Sequence, residues 1–137
     1  MGRVFFNVRD NVHTLTGAYT VLASDSGKTF FIDQDATFVI TLPSLQEGLS
    51  YEFFVSDAGS GEVHITSGTS NGIKGWSMDP TTGINAIDNV LVEIVSSTAA
   101  LGDYVKLWCD GNVWFCQSFS GGTNGIVELT LNRSLTD

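Results

Sequence analysis

The chain has 137 residues, of which 42% are hydrophobic and 15% are charged, and its formal net charge is −9. This length fits a single domain over residues 1–137, and a domain of that size can bury a core without a metal ion or a disulfide. The six basic residues are scattered, which argues against nucleic-acid binding, and no apolar stretch is long enough for a membrane-spanning helix.

In chain order, the sequence predicts about ten short strands separated by turns. Each is a run of apolar or β-branched residues bounded by turn-forming residues. The predicted strands cover residues 4–8, 12–22, 28–32, 36–42, 49–55, 63–66, 90–95, 104–109, 113–119 and 126–131. Residues 44–48 are the only predicted helical turn, and we find no tandem repeat that would indicate a solenoid. The pattern predicts an all-β fold, an antiparallel sandwich or a jelly-roll-like barrel without a long helix.

The strongest local signal is a β-hairpin formed by residues 104–109 and 113–119. Asp110-Gly111-Asn112 separates these two runs and is a turn sequence that tolerates positive φ. Cys109 and Cys116 lie on opposite arms, but facing each other directly would force Trp114 into the connecting loop. We therefore expect free, buried thiols, which fit synthesis in a reducing cytoplasm.

Residues 67–89 form the longest stretch without clear alternation. They are rich in turn formers, and the stretch is longer than structureless connections usually are in compact domains. It is therefore either a functional or interface loop or a set of short strands that the pattern does not resolve. Ile73, Trp76 and Met78 are its large apolar residues. Trp76 either folds back over the core as a lid or anchors a contact with another chain.

Motifs for nucleotide or metal binding are incomplete. Gly27-Lys28-Thr29 resembles the end of a phosphate-binding loop, but the required upstream glycine is missing and a strand follows instead of a helix. Asp33 and Asp35 have the spacing that opens a calcium loop, but the later positions do not fit, so a turn stabilised by Asp is expected. His13 and His64 have no zinc-type spacing around them. We expect no cofactor and no metal.

Catalytic constellations are also missing from the sequence. No nucleophile lies on a strand-to-helix elbow, and the carboxylates are spread thinly along the chain. The sequence therefore predicts that the protein is not an enzyme. An active site assembled from distant residues would leave no local motif, so this alternative stays open.

Several segments carry a resemblance to a known family. They are YTV (19–21), SDSGKTFFID (24–33), FVITLP (38–43) and GLSYEF (48–53), followed by GDYV (102–105) and DGNVW (110–114). These segments resemble small β-rich structural proteins of tailed bacteriophages, in particular capsid decoration (cement) proteins. Related modules also occur in phage tail and fibre proteins.

The resemblance implies a non-enzymatic protein that binds the outside of an assembled phage head and bridges major capsid subunits, often as a homotrimer. It implies a virion location on the outer capsid surface after synthesis in the host cytoplasm, and the absence of a secretory signal agrees with this expectation. The alternative is a tail, fibre or baseplate module that binds a host surface or a glycan.

Terminal segments 1–10 and 125–137 are apolar enough to act as arms that add a strand to another chain. Together with the stretch at 67–89 they supply the predicted interface residues. These are Phe5, Phe6, Ile73, Trp76, Met78, Val127, Leu129 and Leu131.

Overall fold

The computed structural model describes residues 12–68 and 72–129, the side chain of Leu129 excepted. Within these ranges it contains twelve strands and one short 3-10 turn, Ala23–Asp25. The predicted strand at 4–8 lies outside the described residues, as do Phe5, Phe6 and Leu131. The strands are β1 (Val12–Leu15), β2 (Tyr19–Thr20), β3 (Thr29–Asp33), β4 (Phe38–Thr41), β5 (Ser50–Asp57), β6 (Val63–Thr66), β7 (Ile73–Asp79), β8 (Gly83–Asn89), β9 (Leu91–Ile94), β10 (Tyr104–Cys109), β11 (Trp114–Phe119) and β12 (Ile126–Leu129).

The strands form two sheets that enclose one core. The seven-stranded sheet has the order β1-β3-β5-β10-β11-β7-β8, and the five-stranded sheet has the order β12-β9-β6-β4-β2. The prediction of an all-β sandwich of short strands is therefore confirmed. In the described parts of the chain, no helix has the length and apolar character needed to span a membrane.

Strand direction differs from the antiparallel arrangement that the sequence predicted. Strands β1 to β6 alternate between the two sheets, so that β1, β3 and β5 run parallel in one sheet and β2, β4 and β6 run parallel in the other. This half of the chain therefore winds as a coil of three turns, and each turn places one strand in each sheet. The sequence pattern did not reveal it because apolar residues alternate in the same way in parallel and antiparallel strands.

The second half of the chain extends both sheets beyond the last turn of the coil. In the seven-stranded sheet, β10 is antiparallel to β5 and to β11, and β11 is parallel to β7. In the five-stranded sheet, β9 is antiparallel to β6 and to β12. The predicted hairpin is confirmed. Cys116 lies opposite Leu107 in it and not opposite Cys109. Both cysteines are free and buried, as expected.

Aromatic rings fill the centre of the core. Phe30 and Phe53 are fully buried and stack with their ring centroids 5.1 Å apart, and Tyr51 lies 5.8 Å from Trp114. The Tyr51 hydroxyl donates a hydrogen bond of 2.8 Å to the carbonyl oxygen of Leu22. Burial, with the negative charge of Asp25, raises the pKa of Tyr51 to about 12. This side chain therefore stays neutral and hydrogen-bonded at physiological pH.

The stretch at 67–89 contains regular structure. Strands β7 and β8 pair along their whole length as an antiparallel hairpin. Of the two interpretations of this stretch, the one with unresolved short strands is therefore confirmed. The hairpin extends the seven-stranded sheet, with β8 at its edge.

Candidate binding surface

One row of large apolar side chains crosses the outward side of the seven-stranded sheet. Its members are direct strand partners, so they lie side by side across six strands. Ring centroids are 5.7 Å apart for Phe54 and Tyr104 and 6.2 Å apart for Tyr104 and Phe119. The row consists of Phe31, Phe54, Tyr104, Phe119, Met78 and Ile84. We call this row, together with Trp76, Trp108 and Phe115, the aromatic face.

The aromatic face exists because the central strands are apolar on both sides. In β11, Trp114 and Cys116 point into the core, while Phe115 and Phe119 alternate with them and point outward. A strand of a sandwich usually carries polar residues on its solvent side. Large contiguous apolar patches are uncommon on soluble monomers and mark interaction sites. The alternation of β11 therefore places large apolar side chains both in the core and on the outward side of the sheet.

An open cavity of about 570 Å³ lies at one end of the aromatic face, lined in part by Met78, Ile84 and the exposed rings. Trp76 is 55% exposed, and Trp108 and Phe115 are each 44% exposed. Trp108 and Phe115 are partners across the β10–β11 hairpin, whereas Trp76 comes from the neighbouring strand β7. Two hairpins thus meet to form one apolar depression.

Two ion pairs lie among the aromatic side chains. Lys74 Nζ is 2.7 Å from Asp88 Oδ1, and Lys106 Nζ is 3.8 Å from Glu52 Oε2. Lys106 Nζ also lies 5.2 Å from the centroid of the Tyr104 ring, a cation–π geometry. Each pair is neutral as a unit, so these four side chains add no net charge to the aromatic face of a strongly acidic chain.

Asp79 fixes the tip of the β7–β8 hairpin. Its carboxylate accepts hydrogen bonds from the backbone N–H groups of Thr81 and Thr82, at 2.9 and 2.7 Å, and from the Thr82 hydroxyl. It also accepts the N–H of Asn124, which lies just before β12. The bonds from Thr82, supported by those from Asn124 and Thr81, lower the pKa of Asp79 to about 2. The carboxylate therefore ties the hairpin that carries Trp76 to the segment leading into β12.

The structure separates the predicted interface residues. Trp76 and Met78 belong to the aromatic face, and the exposure of Trp76 contradicts the alternative in which it covers the core. Ile73 is fully buried, so the prediction that it contacts a partner is wrong: its position in β7 alternates with that of Trp76 and faces the core. Val127 lies in the other sheet, opposite Glu93. Leu129 belongs to β12, and nothing is described of its side chain.

Sequence reasoning missed Trp108, Phe115 and Ile84 as surface residues. The signal for the first two was present, because both faces of the predicted 104–109 and 113–119 hairpin carry aromatic residues. A two-layer sandwich buries only one of those faces.

Comparison with known proteins adds no assignment, since the sequence matches no family model and no curated protein.

Proposed function

We propose that this chain is a non-enzymatic phage structural protein that binds the outer surface of an assembled capsid through its aromatic face. The apolar row across six strands, in which Phe119 and Ile84 are exposed and the other four side chains are half-buried, is the observation that carries the proposal. The resemblance of the segments at 19–53 and 102–114 to capsid decoration proteins indicates which kind of partner this face binds. The major capsid protein is the partner, and the virion is the location.

The width of the aromatic face favours a protein partner. At the usual spacing of neighbouring strands, a row across six strands spans about 24 Å. This is the scale of one side of a standard protein interface and exceeds what a single small molecule covers. Tryptophan and tyrosine, both present here, are enriched among the residues that dominate binding energy in such interfaces. The two internally neutralised ion pairs also fit a protein surface better than a polyanion.

The mechanism is stabilisation by mass action. A protein that binds the assembled shell and has little affinity for free subunits shifts the equilibrium toward the shell in proportion to its occupancy. A face wide enough to contact two neighbouring subunits has this selectivity, because the complete binding site exists only after assembly. A homotrimer remains the predicted form in which several such contacts are joined. Of the predicted arms at 1–10 and 125–137, residues 126–129 are instead paired with β9 inside the five-stranded sheet.

The second candidate is a tail or fibre module that binds a glycan. The depression between Trp76, Trp108 and Phe115 favours it, since ligand sites are concave and largely apolar with a few polar groups. Lys74 and Gln117 supply polar atoms at this depression.

Co-sedimentation with purified capsids tests the proposal. We expect saturable binding of the protein to mature shells and little binding to unassembled capsid subunits. The double variant Trp76→Ala/Trp108→Ala should lose at least about tenfold in affinity, which is the scale of one interface hot spot. Leu101→Ala is the matched control, because Leu101 is also an exposed apolar residue but does not belong to the aromatic face.

Two results would contradict the proposal. In the first, the wild-type protein stays in the supernatant at every shell concentration. In the second, the double variant and Leu101→Ala both bind like the wild type, which would place the contact elsewhere. Binding to a glycan array that is lost in the double variant, without binding to shells, would establish the second candidate instead.

A further inference from the structure

Three ionisable side chains are buried together on the five-stranded sheet, away from the aromatic face. Glu62, His64 and Glu93 are each less than a tenth exposed. His64 Nε2 lies 2.8 Å from Glu62 Oε1 and 3.5 Å from Glu93 Oε2. One ligand atom from each of the three residues falls within 4.8 Å of the others. The imidazole nitrogen is thus flanked by two carboxylate oxygens.

The fold produces this arrangement in two steps. Glu62 and His64 are two residues apart in an extended segment, so both side chains lie on the same side of the sheet. His64 is the direct partner of Glu93 in the antiparallel pairing of β6 with β9. Both point away from the core residues Val63 and Ile65 that alternate with His64.

The surroundings of the cluster are apolar along the sheet. Val39 is the partner of His64 on one side, and Val127 is the partner of Glu93 on the other. The backbone at Glu62 is held by a hydrogen bond of 3.1 Å from its N–H to Thr37 Oγ1. His64 and Glu93 therefore sit on paired strands between apolar neighbours, with Glu62 directly before β6, which is the setting of a preorganised site.

The donor set matches the preferences of a zinc-like ion. Zn²⁺ binds imidazole nitrogen and carboxylate oxygen at about 2.0 to 2.2 Å in tetrahedral geometry, which sets its ligand atoms about 3.4 Å apart. The distances of 2.8 and 3.5 Å around His64 Nε2 bracket that value.

We propose that Glu62, His64 and Glu93 form a binding site for one divalent transition-metal ion with the ligand preferences of zinc. In the metal-bound form the ion takes the place of the hydrogen bond between His64 Nε2 and Glu62 Oε1. It links β6 to β9 and so stabilises the five-stranded sheet. The proposal is independent of the aromatic face and of any partner bound there.

Titration of the metal-free protein with ZnCl₂ tests the site. After dialysis against EDTA, calorimetric titration at neutral pH should give one zinc ion per chain, and the melting temperature should rise by several degrees. The isosteric variants Glu62→Gln and Glu93→Gln, and His64→Gln, should each weaken zinc binding by about tenfold or more.

The chain offers two matched controls. Asp33, Asp35 and Asp57 form a second cluster, made of three carboxylates at the surface, so Asp35→Asn tests whether zinc binds weakly to surface carboxylates. His13→Gln removes the other histidine, which is exposed in β1. Neither variant should change the stoichiometry or the affinity for zinc.

Cobalt substitution keeps the test valid if a ligand variant fails to fold. Co²⁺ in the wild-type protein should give the visible absorption of a tetrahedral nitrogen and oxygen site, with no thiolate charge-transfer band. A thiolate band would place the ion at Cys109 or Cys116 and overturn the proposal. If zinc neither binds with unit stoichiometry nor raises the melting temperature, the proposal is also overturned, and the three residues form a hydrogen-bonded cluster without a metal ion.

Discussion

Gly75 lies beside Cys116 in the parallel pairing of β7 with β11, and a Cβ atom on Gly75 would collide with the Cys116 carbonyl oxygen. The φ of Gly75 is +148°, a value that residues with a side chain rarely adopt. This close approach places Trp76 next to the outward side chains of β11. A single glycine therefore sets the distance between the two hairpins that form the apolar depression.

Gly75→Ala should lower the free energy of unfolding by roughly 1–3 kcal/mol, the usual cost of forcing an extra carbon into a packed site. Urea denaturation measures this change. Gly17→Ala is the control, because no atom lies within 4 Å of the position that its Cβ would take. Equal stability of the two variants would show that β7 moves away from β11 at little cost.

Asp79 should make the stability of the β7–β8 hairpin sensitive to acid. Its hydrogen bonds hold its pKa near 2 in the folded state, below the ordinary value of 3.8, so the unfolded chain takes up a proton first as the pH falls. The stabilising contribution is complete above about pH 5 and is lost progressively as the pH falls through 3.8 to about 2. Asp79→Asn should remove this contribution at every pH.

Melting temperatures between pH 2 and pH 7 measure that dependence. The wild-type protein should lose more stability over the acid range than Asp79→Asn does. Glu47→Gln changes an exposed carboxylate outside the hairpin and should follow the wild-type curve. Parallel curves for all three proteins would show that Asp79 contributes no pH-dependent stability.

The two thiols should be unreactive in the folded protein. Burial raises the pKa of Cys116 to about 12, so almost no thiolate is present near neutral pH, and Cys109 is buried as well. Ellman's reagent at pH 8 should label neither thiol in buffer and both in urea. With Cys109→Ser, the label incorporated in urea reports Cys116 alone. Rapid labelling of that variant in buffer would mean that the hairpin opens readily or that the thiol is exposed.

Local signals in the sequence predicted the β10–β11 hairpin well. Asp110 accepts the N–H groups of Asn112 and Val113 at 2.8 and 3.0 Å, so the turn stabilises itself through residues that are adjacent in the chain. The same holds for Asp33, which accepts the N–H of Asp35 at 3.0 Å and forms the expected Asp-stabilised turn. Such short-range chemistry can be recognised without knowing the fold.

The same reasoning did not predict strand β7, because its alternation of apolar and polar residues is inverted relative to the core. Gly75 and Ser77 occupy the inward positions, while Trp76 and Met78 occupy the outward ones. A pattern that assumes apolar residues face the core cannot recognise a strand whose outward side is the more apolar one. The apolar character of the outward side of β7 is thus also the reason why the sequence pattern did not predict this strand.

The cluster around His64 was hidden for a different reason. The spacing of Glu62 and His64 is visible in the sequence, but Glu93 joins them only through the pairing of β6 with β9. That pairing connects segments about thirty residues apart and has no local signature. Sites assembled across a sheet from distant strands need the strand order before they can be recognised.

The three-turn coil of β1 to β6 adds its turns along one direction, whereas Trp76, Trp108 and Phe115 lie on the far side of β5. The coil and the three rings consequently occupy separate strands of the seven-stranded sheet. A turn added or removed at β1 would leave the order of the strands that carry the three rings unchanged.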